Sequence, residues 1–472
     1  MKMYLAGEWT AADERCEVRA PYSGELVDEV PEASTEQVEQ ALIAAVEAAQ
    51  SMRRLSAHER CQILHRAADL CDQRVDDLAR TVTLEEGKPL SEAKGEVSRM
   101  PDLLRLCAYE GTQIRGETLP LDAQAGAEGK FGYTVREPCG VVVAITPFNY
   151  PALLVAHKIG PALATGNAVI LKPAGQTPLS ALKITEIFYE AGLPTNGLQC
   201  LTGPGKRIGA QLCADARVRK ISFTGSVPVG EQITRVAGVK KLSLELGANC
   251  PMIVLPDADV EKVSEATVLG GYANAGQVCI STQRVLVHQQ VYADFLDAFT
   301  PKVAAIKTGD PLEEGTRLSA LISQQDAERV VAWVDQARES GARVVTGGQR
   351  EGAVVEPTIV ADVDPSQKIS CEELFGPAVA VTPVESVEHA IHLTNDSQYG
   401  LGAGIFTQDI TAAMRFAREA ECGNVMINWT PLWRADLMPY GGYKNSGVGK
   451  EGPRYAVQEM TEVKTIVMHG LE

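Results

Sequence analysis

The fold is decided by a series of short apolar runs that begins with GVVVAIT at residues 140–146. The runs that follow it are NAVILKP (167–173), LQCLTG (198–203), KISFTG (220–225) and KLSLELG (241–247). Stretches long enough for a helix separate them. Apolar runs that alternate with helical stretches are typical of a parallel sheet covered on both faces. This part of the chain is therefore predicted to form an α/β unit.

A second alternating series occupies the chain from about residue 250 to about residue 430. Its apolar runs are PMIVLP, QRVLVH, ARVVTG, GPAVAVTPV, GAGIFT and GNVMIN. A chain of 472 residues has room for two or three domains at roughly 100 to 200 residues each. The sequence therefore predicts a second α/β domain.

The region before the first run reads as helical after a short strand-like opening. From Ser34 onward, apolar residues keep the spacing of one helix face. They are Val38, Ala41, Leu42, Ala45 and Val46. Ser56 and Glu59 then form a capping-box pattern, in which each side chain satisfies a backbone N–H at a helix start. This second helical stretch is expected to end by Gly87-Lys-Pro89.

Composition and charge exclude several classes of protein. The chain has 44 Lys and Arg against 61 Asp and Glu, and the formal charge of -17 would repel a nucleic-acid backbone. Eleven cysteines, without a C-x-x-C pair, argue against a disulfide framework and a zinc ribbon, so no metal site is expected. The opening residues lack the apolar core of a signal peptide, and no run of about 18 apolar residues follows. We expect a cytoplasmic protein without a nucleic-acid or membrane partner.

Polar residues follow the predicted strands of the first α/β unit. Asn149 lies just past the first strand, Lys172 ends the second, and Thr224-Gly225-Ser226 follows the fourth. Because ligands of open α/β sheets bind outside the carboxyl ends of strands, these groups should meet at one crevice. Ser226 also opens a predicted helix, whose N–H groups and dipole suit the pyrophosphate of a dinucleotide. Glycine and serine at such turns could equally be ordinary turn residues.

Two side chains with reactive chemistry lie in later segments. Cys279 has small and polar neighbours in NAGQVCIS, which leave its thiol accessible, although most cysteines are buried structural residues. Glu245 interrupts the apolar run LSLEL, where a buried carboxylate is costly unless it is paired or functional. It is read either as a general base or as one half of an ion pair.

A thiol, a carboxylate of raised pKa and a positioned amide together suit one reaction. The Cys279 thiolate would attack a carbonyl carbon, the Asn149 amide would stabilise the oxyanion, and hydride would pass to a nicotinamide. Glu245 would then activate the water that hydrolyses the thioester. A cysteine–histidine hydrolase is the rival use of a cysteine, but none of the seven histidines lies in a recognisable nucleophile signature.

Seven segments carry a family resemblance. They are TPFNYP (146–151), LKPAGQTP (171–178), FTGSVPVG (223–230), LELGANCP (244–251), GQVCIS (276–281), EELFGP (372–377) and PYGGYKNSGVGKEG (439–452). In this order they resemble the successive motifs of the aldehyde dehydrogenase superfamily, and they span nearly the whole chain. The resemblance implies that Cys279 is the nucleophile, Glu245 the base and Asn149 the oxyanion amide.

The same resemblance implies a site for NADP, NAD or both. Lys172 is similar to the residue that contacts the adenosine ribose, Ser226 to the pyrophosphate contact and Glu373 to the ligand of the nicotinamide ribose. Phe375 would lie beside the nicotinamide. The other cofactor residues it implies are Thr146, Pro147, Phe148, Gly205, Thr224 and Gly225. Gly205 lies in GPGKRIG, whose spacing G-x-G-x-x-x-G differs from the G-x-G-x-x-G fingerprint and is weak evidence by itself.

A domain arrangement also follows from the resemblance. Residues 1–119 and 139–246 would form a Rossmann-like NAD(P)-binding domain, and residues 247–450 a second, catalytic α/β domain. Residues 120–138 and 451–472 would form a β oligomerisation arm, which gives a homodimer or a homotetramer. A C-terminal strand could equally be an ordinary edge strand.

Two positions depart from the family pattern. The family often has a glutamate that binds the adenosine ribose where this chain has Gly175. A carboxylate would repel a 2′-phosphate, so its absence leaves Lys172 able to favour NADP alongside NAD. Ala248-Asn249 replaces a glycine and a lysine, and we expect this change to alter packing only.

The expected substrate is a small aldehyde. The stretches NYPALLVAHK and WRADLMPYGG look most like the branch that handles hydroxylated or anionic aldehydes, such as lactaldehyde, glyceraldehyde 3-phosphate, sulfolactaldehyde and phosphonoacetaldehyde. The substrate residues that this resemblance implies are Arg105, Tyr150, His157, Arg284, Trp429, Thr430, Arg434 and Tyr440. An arginine–histidine cluster could bind an anionic head group. Arg434 could instead pair with Asp436 or cap a loop.

Two other functions stay open. A coenzyme A-acylating enzyme would keep Cys279 but tends to lack the glutamate matched by Glu245, so Glu245 favours hydrolysis. A non-catalytic structural or binding member of the superfamily could lose the reactive residues, whereas Cys279, Glu245 and Asn149 are all present. The sequence therefore predicts NAD(P)-dependent oxidation of an aldehyde to its carboxylic acid.

Overall fold

The computed structural model describes residues 1–470, which form two large sheets flanked by helices, one small sheet of three strands and two sheets of two strands. The α-helices are α1 (Thr35–Arg54), α2 (Ala57–Gln73), α3 (Val75–Glu86), α4 (Leu90–Val97), α5 (Met100–Thr112), α6 (Leu153–Ala164), α7 (Leu179–Glu190), α8 (Gly205–Ala214), α9 (Val227–Ala237), α10 (Val260–Tyr272), α11 (Tyr292–Ala304), α12 (Gln324–Glu339), α13 (Lys368–Cys371), α14 (Val387–Asn395), α15 (Ile410–Glu419) and α16 (Pro453–Glu459).

The strands are β1 (Met3–Leu5), β2 (Glu8–Thr10), β3 (Arg15–Arg19), β4 (Leu26–Pro31), β5 (Thr118–Leu119), β6 (Phe131–Pro138), β7 (Val141–Ile145), β8 (Ala168–Lys172), β9 (Leu198–Cys200), β10 (Val218–Thr224), β11 (Lys241–Glu245), β12 (Cys250–Val254), β13 (Thr282–His288), β14 (Arg343–Thr346), β15 (Arg350–Glu351), β16 (Val354–Val355), β17 (Thr358–Ala361), β18 (Ala378–Val384), β19 (Gly402–Phe406), β20 (Asn424–Ile427), β21 (Gly447–Val448) and β22 (Thr461–Met468). Short 3-10 turns lie at Leu121–Ala123, Ala273–Gly276 and Lys444–Ser446.

The first sheet contains the five predicted runs as neighbouring strands. Its order is β2-β1-β9-β8-β7-β10-β11-β21, and the strands from β9 to β11 are parallel. The chain winds outward from β7 to β8 and β9, and then crosses to β10 on the other side of β7. Ligands of open α/β sheets bind at such a switch point. The loops after β7 and β10 therefore border the predicted crevice.

The second sheet has the order β14-β17-β18-β13-β12-β19-β20, and all its pairs except β14 with β17 are parallel. Its central strands are almost entirely buried because their sequences are continuously apolar. The predicted fold class, an α/β protein with two parallel-sheet units, is confirmed.

The N-terminal helices pack on the first sheet. The predicted capping box of Ser56 and Glu59 opens α2, and the long helical stretch after it is divided into α2 and α3 at Arg74. Four members of the predicted apolar stripe of α1 are buried, but Val46 is exposed. At 3.6 residues per turn, Val46 lies about 80° from Val38, at the edge of the buried face. Residues 1–470 contain no helix with the length and the apolar composition of a bilayer-spanning segment.

The small sheet forms an arm of three antiparallel strands in the order β22-β6-β5. β22 pairs with β6 along its whole length, with Thr461 opposite Pro138 and Met468 opposite Phe131. The predicted arm segment 451–472 also contains α16. This helix packs against α5 and α6 beside the first sheet and does not belong to the three-stranded sheet. Residues 471 and 472 lie outside the described residues.

Candidate active site

A cavity of about 910 Å³ lies at the switch point between β7 and β10. It is lined by the loops that follow these two strands and by segments of the second sheet unit, which supply Cys279 and Tyr440. Its volume is in the range of small-molecule sites, about 300–1,000 Å³. The predicted crevice is therefore present, and residues from both halves of the chain meet in it.

Most of the predicted cofactor residues line one part of this cavity. They are Thr146, Pro147, Phe148, Thr224, Gly225, Ser226, Glu373 and Phe375. Ser226 is the N-cap of α9, and its side chain makes no capping hydrogen bond within the described chain. The first N–H groups of α9 are therefore available to an anion. A helix N-terminus beside a carboxylate in one cavity fits the pyrophosphate and ribose of a dinucleotide.

Lys172 and Gly205, which the resemblance also implies, do not belong to the cavity lining. Lys172 is buried at the end of β8, and its Nζ donates to the carbonyl of Pro173 at 2.6 Å. Burial lowers the pKa of Lys172 to about 8. Gly205 begins α8. Lys172 lies on the side of β7 that is remote from β10, whereas α8 packs against α9 and contacts β10. The roles of Lys172 and Gly205 at the adenosine end of a dinucleotide stay predictions.

Cys279 follows a loop with an unusual backbone. Asn274, Ala275 and Gly276 have φ angles of 48°, 52° and 73°. Left-handed conformations of non-glycine residues are uncommon and cluster at functional loops. The Sγ of Cys279 lies 2.9 Å from the hydroxyl of Tyr440.

The thiol of Cys279 is partly buried beside groups of both charges. Burial raises its pKa to about 11, and the nearby Glu245 acts in the same direction. The hydrogen bond from Tyr440 and the charge of Arg434 lower it. The thiol is therefore protonated at neutral pH until a base or a charged neighbour favours the thiolate.

Asn149 lies against the loop of Cys279. Its Nδ2 donates to the carbonyl of Gln277 at 2.8 Å, which orients the amide and leaves a second N–H for a ligand. Its backbone carbonyl accepts from Lys88 Nζ at 2.5 Å and from Asn274 Nδ2 at 3.1 Å. The structure thus brings the predicted oxyanion amide to the predicted nucleophile.

Glu245 ends β11 behind the wall of the cavity. It is 3% exposed, and neither of its carboxylate oxygens has a hydrogen-bond partner in residues 1–470. Burial and then the neighbouring Glu451 raise its pKa well above the ordinary value. Buried polar groups without a partner are rare and mark functional positions. This environment favours the general-base interpretation over the ion pair.

Lys158 and Glu451 form a buried ion pair that the sequence interpretation missed. Glu451 accepts from Lys158 Nζ and from Arg434 Nη2, each at 3.1 Å. Burial would raise the pKa of Glu451, but Lys158 and Arg434 outweigh it and lower the pKa to about 2. The sequence did indicate Lys158, because it interrupts the apolar sequence of α6 in the same way as Glu245 interrupts that of β11.

Five predicted substrate residues line the cavity. They are Tyr150, Trp429, Thr430, Arg434 and Tyr440. The ζ carbon of Arg434 lies 3.9 Å from the centroid of the Tyr440 ring. The sixth residue near them, His157, is buried behind Arg434, with its Nδ1 3.3 Å from Arg434 Nη2.

His157 connects Arg434 to an acidic residue. Its Nε2 lies 3.1 Å from Asp436 Oδ1. Burial and the charge of Arg434 lower the pKa of His157, so the neutral ring donates from Nε2 and accepts at Nδ1. The alternative pairing of Arg434 with Asp436 is not the one observed, because Asp436 is held by His157 and by Arg99 at 2.6 Å.

Two predicted substrate arginines are placed elsewhere by their partners. Arg105 lies on the outer face of α5, where it pairs with Asp69 at 2.8 Å and Asp72 at 2.6 Å. Arg284 is buried in β13 and donates to the carbonyl of Leu393 at 2.9 Å. Neither lines the cavity, and the prediction that they do is corrected.

Asn249 does more than alter packing. Its Nδ2 donates to the carbonyl of Ser370 and, at 3.3 Å, to that of Glu372. The N–H of the neighbouring Ala248 donates to Glu373 Oε1 at 3.0 Å. Burial raises the pKa of Glu373 to about 7. The side chain of Asn249 therefore helps to hold the segment that carries Glu373, which corrects the expectation for this position; the Ala248 contact is made by the backbone and does not depend on the residue type.

Comparison with known proteins gives a consistent result over the whole chain. Residues 9–466 match the Aldehyde dehydrogenase family. The chain is 44% identical to 3-sulfolactaldehyde dehydrogenase of Priestia aryabhattai over 467 residues. This alignment covers 99% of this chain and 98% of that protein. It is 39% identical to lactaldehyde dehydrogenase of Methanococcus aeolicus over 471 residues, and this alignment covers 99% of this chain and 100% of that protein.

A solved structure agrees at the level of the backbone. NADP-dependent glyceraldehyde-3-phosphate dehydrogenase from Bacillus halodurans, complexed with NADP, superposes with a TM-score of 0.97 at 36% identity and covers 99% of each chain. The family that the seven segments predicted is confirmed. The chain belongs to the aldehyde dehydrogenase family.

Proposed function

We propose that this chain oxidises a small anionic aldehyde to its carboxylic acid, with NADP or NAD as hydride acceptor. The observation that carries the proposal is Arg434, which lines the same cavity as Cys279. Arg434 is nine-tenths buried, and its Nε has no partner among the described residues. The Nη2 of the same guanidinium pairs with Glu451, so its charge is compensated, but a buried N–H without an acceptor is costly unless a ligand supplies one.

The contacts that Arg434 and Cys279 each make with Tyr440 limit the length of the substrate. One aromatic ring, that of Tyr440, separates the guanidinium from the thiol. An aldehyde whose carbonyl meets Cys279 therefore needs only a short carbon chain to present an anionic group to Arg434. A sulfonate, a phosphate or a carboxylate accepts the parallel hydrogen bonds that a guanidinium donates.

Cys279 forms the covalent bond to the substrate. Its thiolate attacks the aldehyde carbon, and the second N–H of the Asn149 amide donates to the oxygen as it becomes an oxyanion. A bound nicotinamide supplies the acceptor for the hydride of that carbon. The thioester left on Cys279 is hydrolysed by water, whose proton passes to Glu245. Burial and Glu451 give Glu245 the raised proton affinity that this role needs.

The cofactor part of the cavity supports NADP as well as NAD. The N-terminus of α9 fits a pyrophosphate, and Glu373 offers a carboxylate to ribose hydroxyls. Gly175 contributes no carboxylate, and a Cβ added there would have no described atom within 4 Å, which leaves room for a 2′-phosphate. The Bacillus halodurans relative is complexed with NADP.

The names of the relatives support the same substrate class. Sulfolactaldehyde, lactaldehyde and glyceraldehyde 3-phosphate are all short hydroxylated aldehydes, and two of them are anionic. Glu245 argues against release of the product to coenzyme A, and the three reactive side chains argue against a non-catalytic role. We further propose a cytoplasmic homodimer or homotetramer, which the cysteine content and the exposed β arm support.

An aldehyde panel tests the proposal. Sulfolactaldehyde, glyceraldehyde 3-phosphate, lactaldehyde and a long-chain neutral aldehyde are assayed, each with NAD and with NADP. The anionic aldehydes should have the highest kcat/KM. Arg434→Gln should lower kcat/KM for the anionic aldehydes by about 10- to 100-fold more than for lactaldehyde, since a hydrogen bond to a charged group contributes about 1.5–3 kcal/mol.

Matched variants separate the parts of this proposal. Arg105→Gln removes a surface arginine and should leave every ratio unchanged. If the long-chain aldehyde is preferred, the anionic substrate class is wrong. A strong preference for NAD in kcat/KM would contradict the cofactor assignment. Cys279→Ala should abolish oxidation of every aldehyde, and retained oxidation would exclude the thioester mechanism.

A further inference from the structure

A buried lysine lies between the loops that carry Asn149 and Cys279. The side chain of Lys88 is 1% exposed, and it follows α3 in the chain. Its Nζ donates to Glu96 Oε2 at 2.8 Å and to the backbone carbonyl of Asn149 at 2.5 Å. The ammonium also lies 4.0 Å from the centroid of the Tyr150 ring. Lys88 thus contacts the loop after β7 at two consecutive residues.

Glu96 anchors the far end of the same loop. Its Oε1 accepts from the N–H groups of Ala152 and Leu153 at 2.9 and 3.0 Å, at the start of α6. Within the chain as described, α6 has no side-chain cap from its own N-cap residue, so Glu96 takes that role from α4. The Lys88–Glu96 pair therefore holds residues 149–153 at both ends.

The loop that precedes Cys279 is attached to the same group of residues. Asn274 Nδ2 donates to the carbonyl of Asn149 at 3.1 Å and to Glu86 Oε1 at 2.9 Å. The N–H of Asn274 donates to Glu92 Oε2 at 2.7 Å. Asn274 has a left-handed backbone, which persists only where surrounding contacts hold it. The carbonyl of Asn149 is thus the point at which Lys88 and the loop of Cys279 meet.

The charge of Lys88 is maintained in this environment. Burial would lower the pKa of Lys88, but Glu86 and Glu96 outweigh it and raise the pKa. A buried ion pair is weak evidence of stability, because apolar residues of similar volume often serve as well. The contacts of Lys88 with both active-site loops give the pair a different role.

We propose that Lys88 is a positioning residue for the reaction, which fixes the backbone of Asn149 so that its amide stays directed at the substrate oxygen on Cys279. The inference rests on the roles of Asn149 and Cys279 in the proposed function. The Asn149 amide also bonds Gln277, two residues before Cys279, so a shift of its backbone would disturb both groups. A displacement of about 1 Å in such groups can lower a rate by about 100-fold.

The test uses a variant that removes both charges of the Lys88–Glu96 ion pair. Lys88→Met is combined with Glu96→Gln, in which the glutamine keeps an acceptor for α6, and Glu96→Gln alone is the reference. The double variant should lower kcat by about 10- to 100-fold relative to the reference. The Kd for NADP, measured by calorimetry, should change by less than about threefold, because Lys88 contacts no predicted cofactor residue.

Lys220→Met is the matched control. Lys220 is also fully buried, but its Nζ donates to Ser243 Oγ at 2.5 Å, within the first sheet and outside the cavity lining. The Lys220→Met variant measures the general effect of removing a buried lysine. Its kcat should stay within about twofold of that of the unaltered chain. A loss of kcat in Lys220→Met equal to that of the Lys88 variant would overturn the proposal.

A double-mutant cycle with Asn149→Ala distinguishes positioning from a structural role. If Lys88 acts through the Asn149 amide, its loss should lower kcat by no more than about twofold once that amide is absent. An equal loss in both backgrounds, or an unchanged kcat in the Lys88 variant, refutes the proposal. If the Lys88→Met variant does not fold, Lys88→Arg replaces it in the cycle, because arginine keeps the charge. The loss of kcat in Lys88→Arg must then also disappear when Asn149 is replaced by alanine. Failure of the proposed function is seen separately, as full activity of Cys279→Ala.

Discussion

Cys279 rests as a thiol and not as a thiolate. Burial raises its pKa to about 11, whereas an ordinary cysteine has a pKa of about 8.5. The reactivity of Cys279 at neutral pH therefore depends on the neighbours that favour its charged form. The Tyr440 hydroxyl is one of them, because burial raises the pKa of Tyr440 well above its ordinary value and keeps it a proton donor.

Tyr440→Phe should slow the alkylation of Cys279. The hydrogen bond from Tyr440 lowers the pKa of the thiol, so its removal raises that pKa and reduces the thiolate fraction at every pH below it. A charge-assisted bond of about 1.5–3 kcal/mol corresponds to about one pKa unit or more, and hence to about tenfold slower reaction with iodoacetamide at pH 8. Mass spectrometry of the peptide that contains Cys279 measures the rate.

Tyr443→Phe is the control for this measurement. Tyr443 is an exposed tyrosine that does not belong to the cavity lining, so its hydroxyl should not influence the thiol. An alkylation rate in Tyr440→Phe that equals the rate in Tyr443→Phe would show that Tyr440 does not stabilise the thiolate.

Some site residues could be read from the sequence and others could not. Glu245 could be singled out because it interrupts an apolar run, whereas the roles predicted for Cys279 and Asn149 rest mainly on the ordered family motifs that contain them. The placement of Arg105 and Arg284 could not be predicted, because the direction of a long side chain depends on partners that are distant in sequence. Asp69 lies 36 residues from Arg105, and Leu393 lies 109 residues from Arg284.

At the scale of elements, most strands of the two large sheets were predictable because their sequences are continuous apolar runs, but the short strand β17 of the second sheet was missed. The helix boundary at Arg74 was not predictable, since the apolar spacing continues across it. The conformation of the loop of residues 273–276 could not be predicted from the sequence either. Its left-handed backbone depends on contacts with Glu86 and Glu92, from a different helix pair.

Gly225→Ala should weaken cofactor binding through the start of α9. A Cβ at Gly225 would lie 2.5 Å from Cζ of Phe223, a ring that lines the cavity, so the ring must move. Overpacking of this kind costs about 1–3 kcal/mol, which corresponds to about a tenfold rise in the Kd for NADP. Calorimetric titration with NADP measures it.

The control for this prediction is a second glycine of the same unit. Gly209→Ala adds a carbon inside α8 that would meet only Ile145, at 3.9 Å, which is an ordinary contact. Its Kd for NADP should equal that of the unaltered chain. An unchanged Kd in Gly225→Ala as well would mean that the start of α9 does not contact the cofactor.

At the scale of the whole molecule, the site depends on pairing two halves of the chain. Asn149 follows β7 of the first sheet, whereas Cys279 precedes β13 of the second, and the Gln277 carbonyl joins them across 128 residues. Local sequence patterns predict the strands and helices of each half, but they do not predict how the two halves are oriented relative to each other. The ordered family motifs supplied that information, because a sequence with all seven segments also inherits the arrangement that brings them together.

The β arm exposes apolar side chains on one face. Val463 and Val467 are 56% and 40% exposed, and alternation along β22 directs them to the same side. Contiguous exposed apolar residues on a small sheet mark an interaction surface. We expect two copies of this chain to bury them against each other in the proposed homodimer or homotetramer.

Val463→Asp with Val467→Asp should therefore dissociate the assembly. Two carboxylates per arm would be desolvated at the interface, and each unpaired buried charge costs several kcal/mol. Sedimentation velocity should show the unaltered chain at the mass of two or four copies and the variant at the mass of one. Val239→Asp with Ile410→Asp changes two exposed apolar residues outside the arm and should keep the assembly intact. An unaltered chain that already sediments as a single copy would contradict the oligomer, and an arm variant that keeps its mass would place the interface elsewhere.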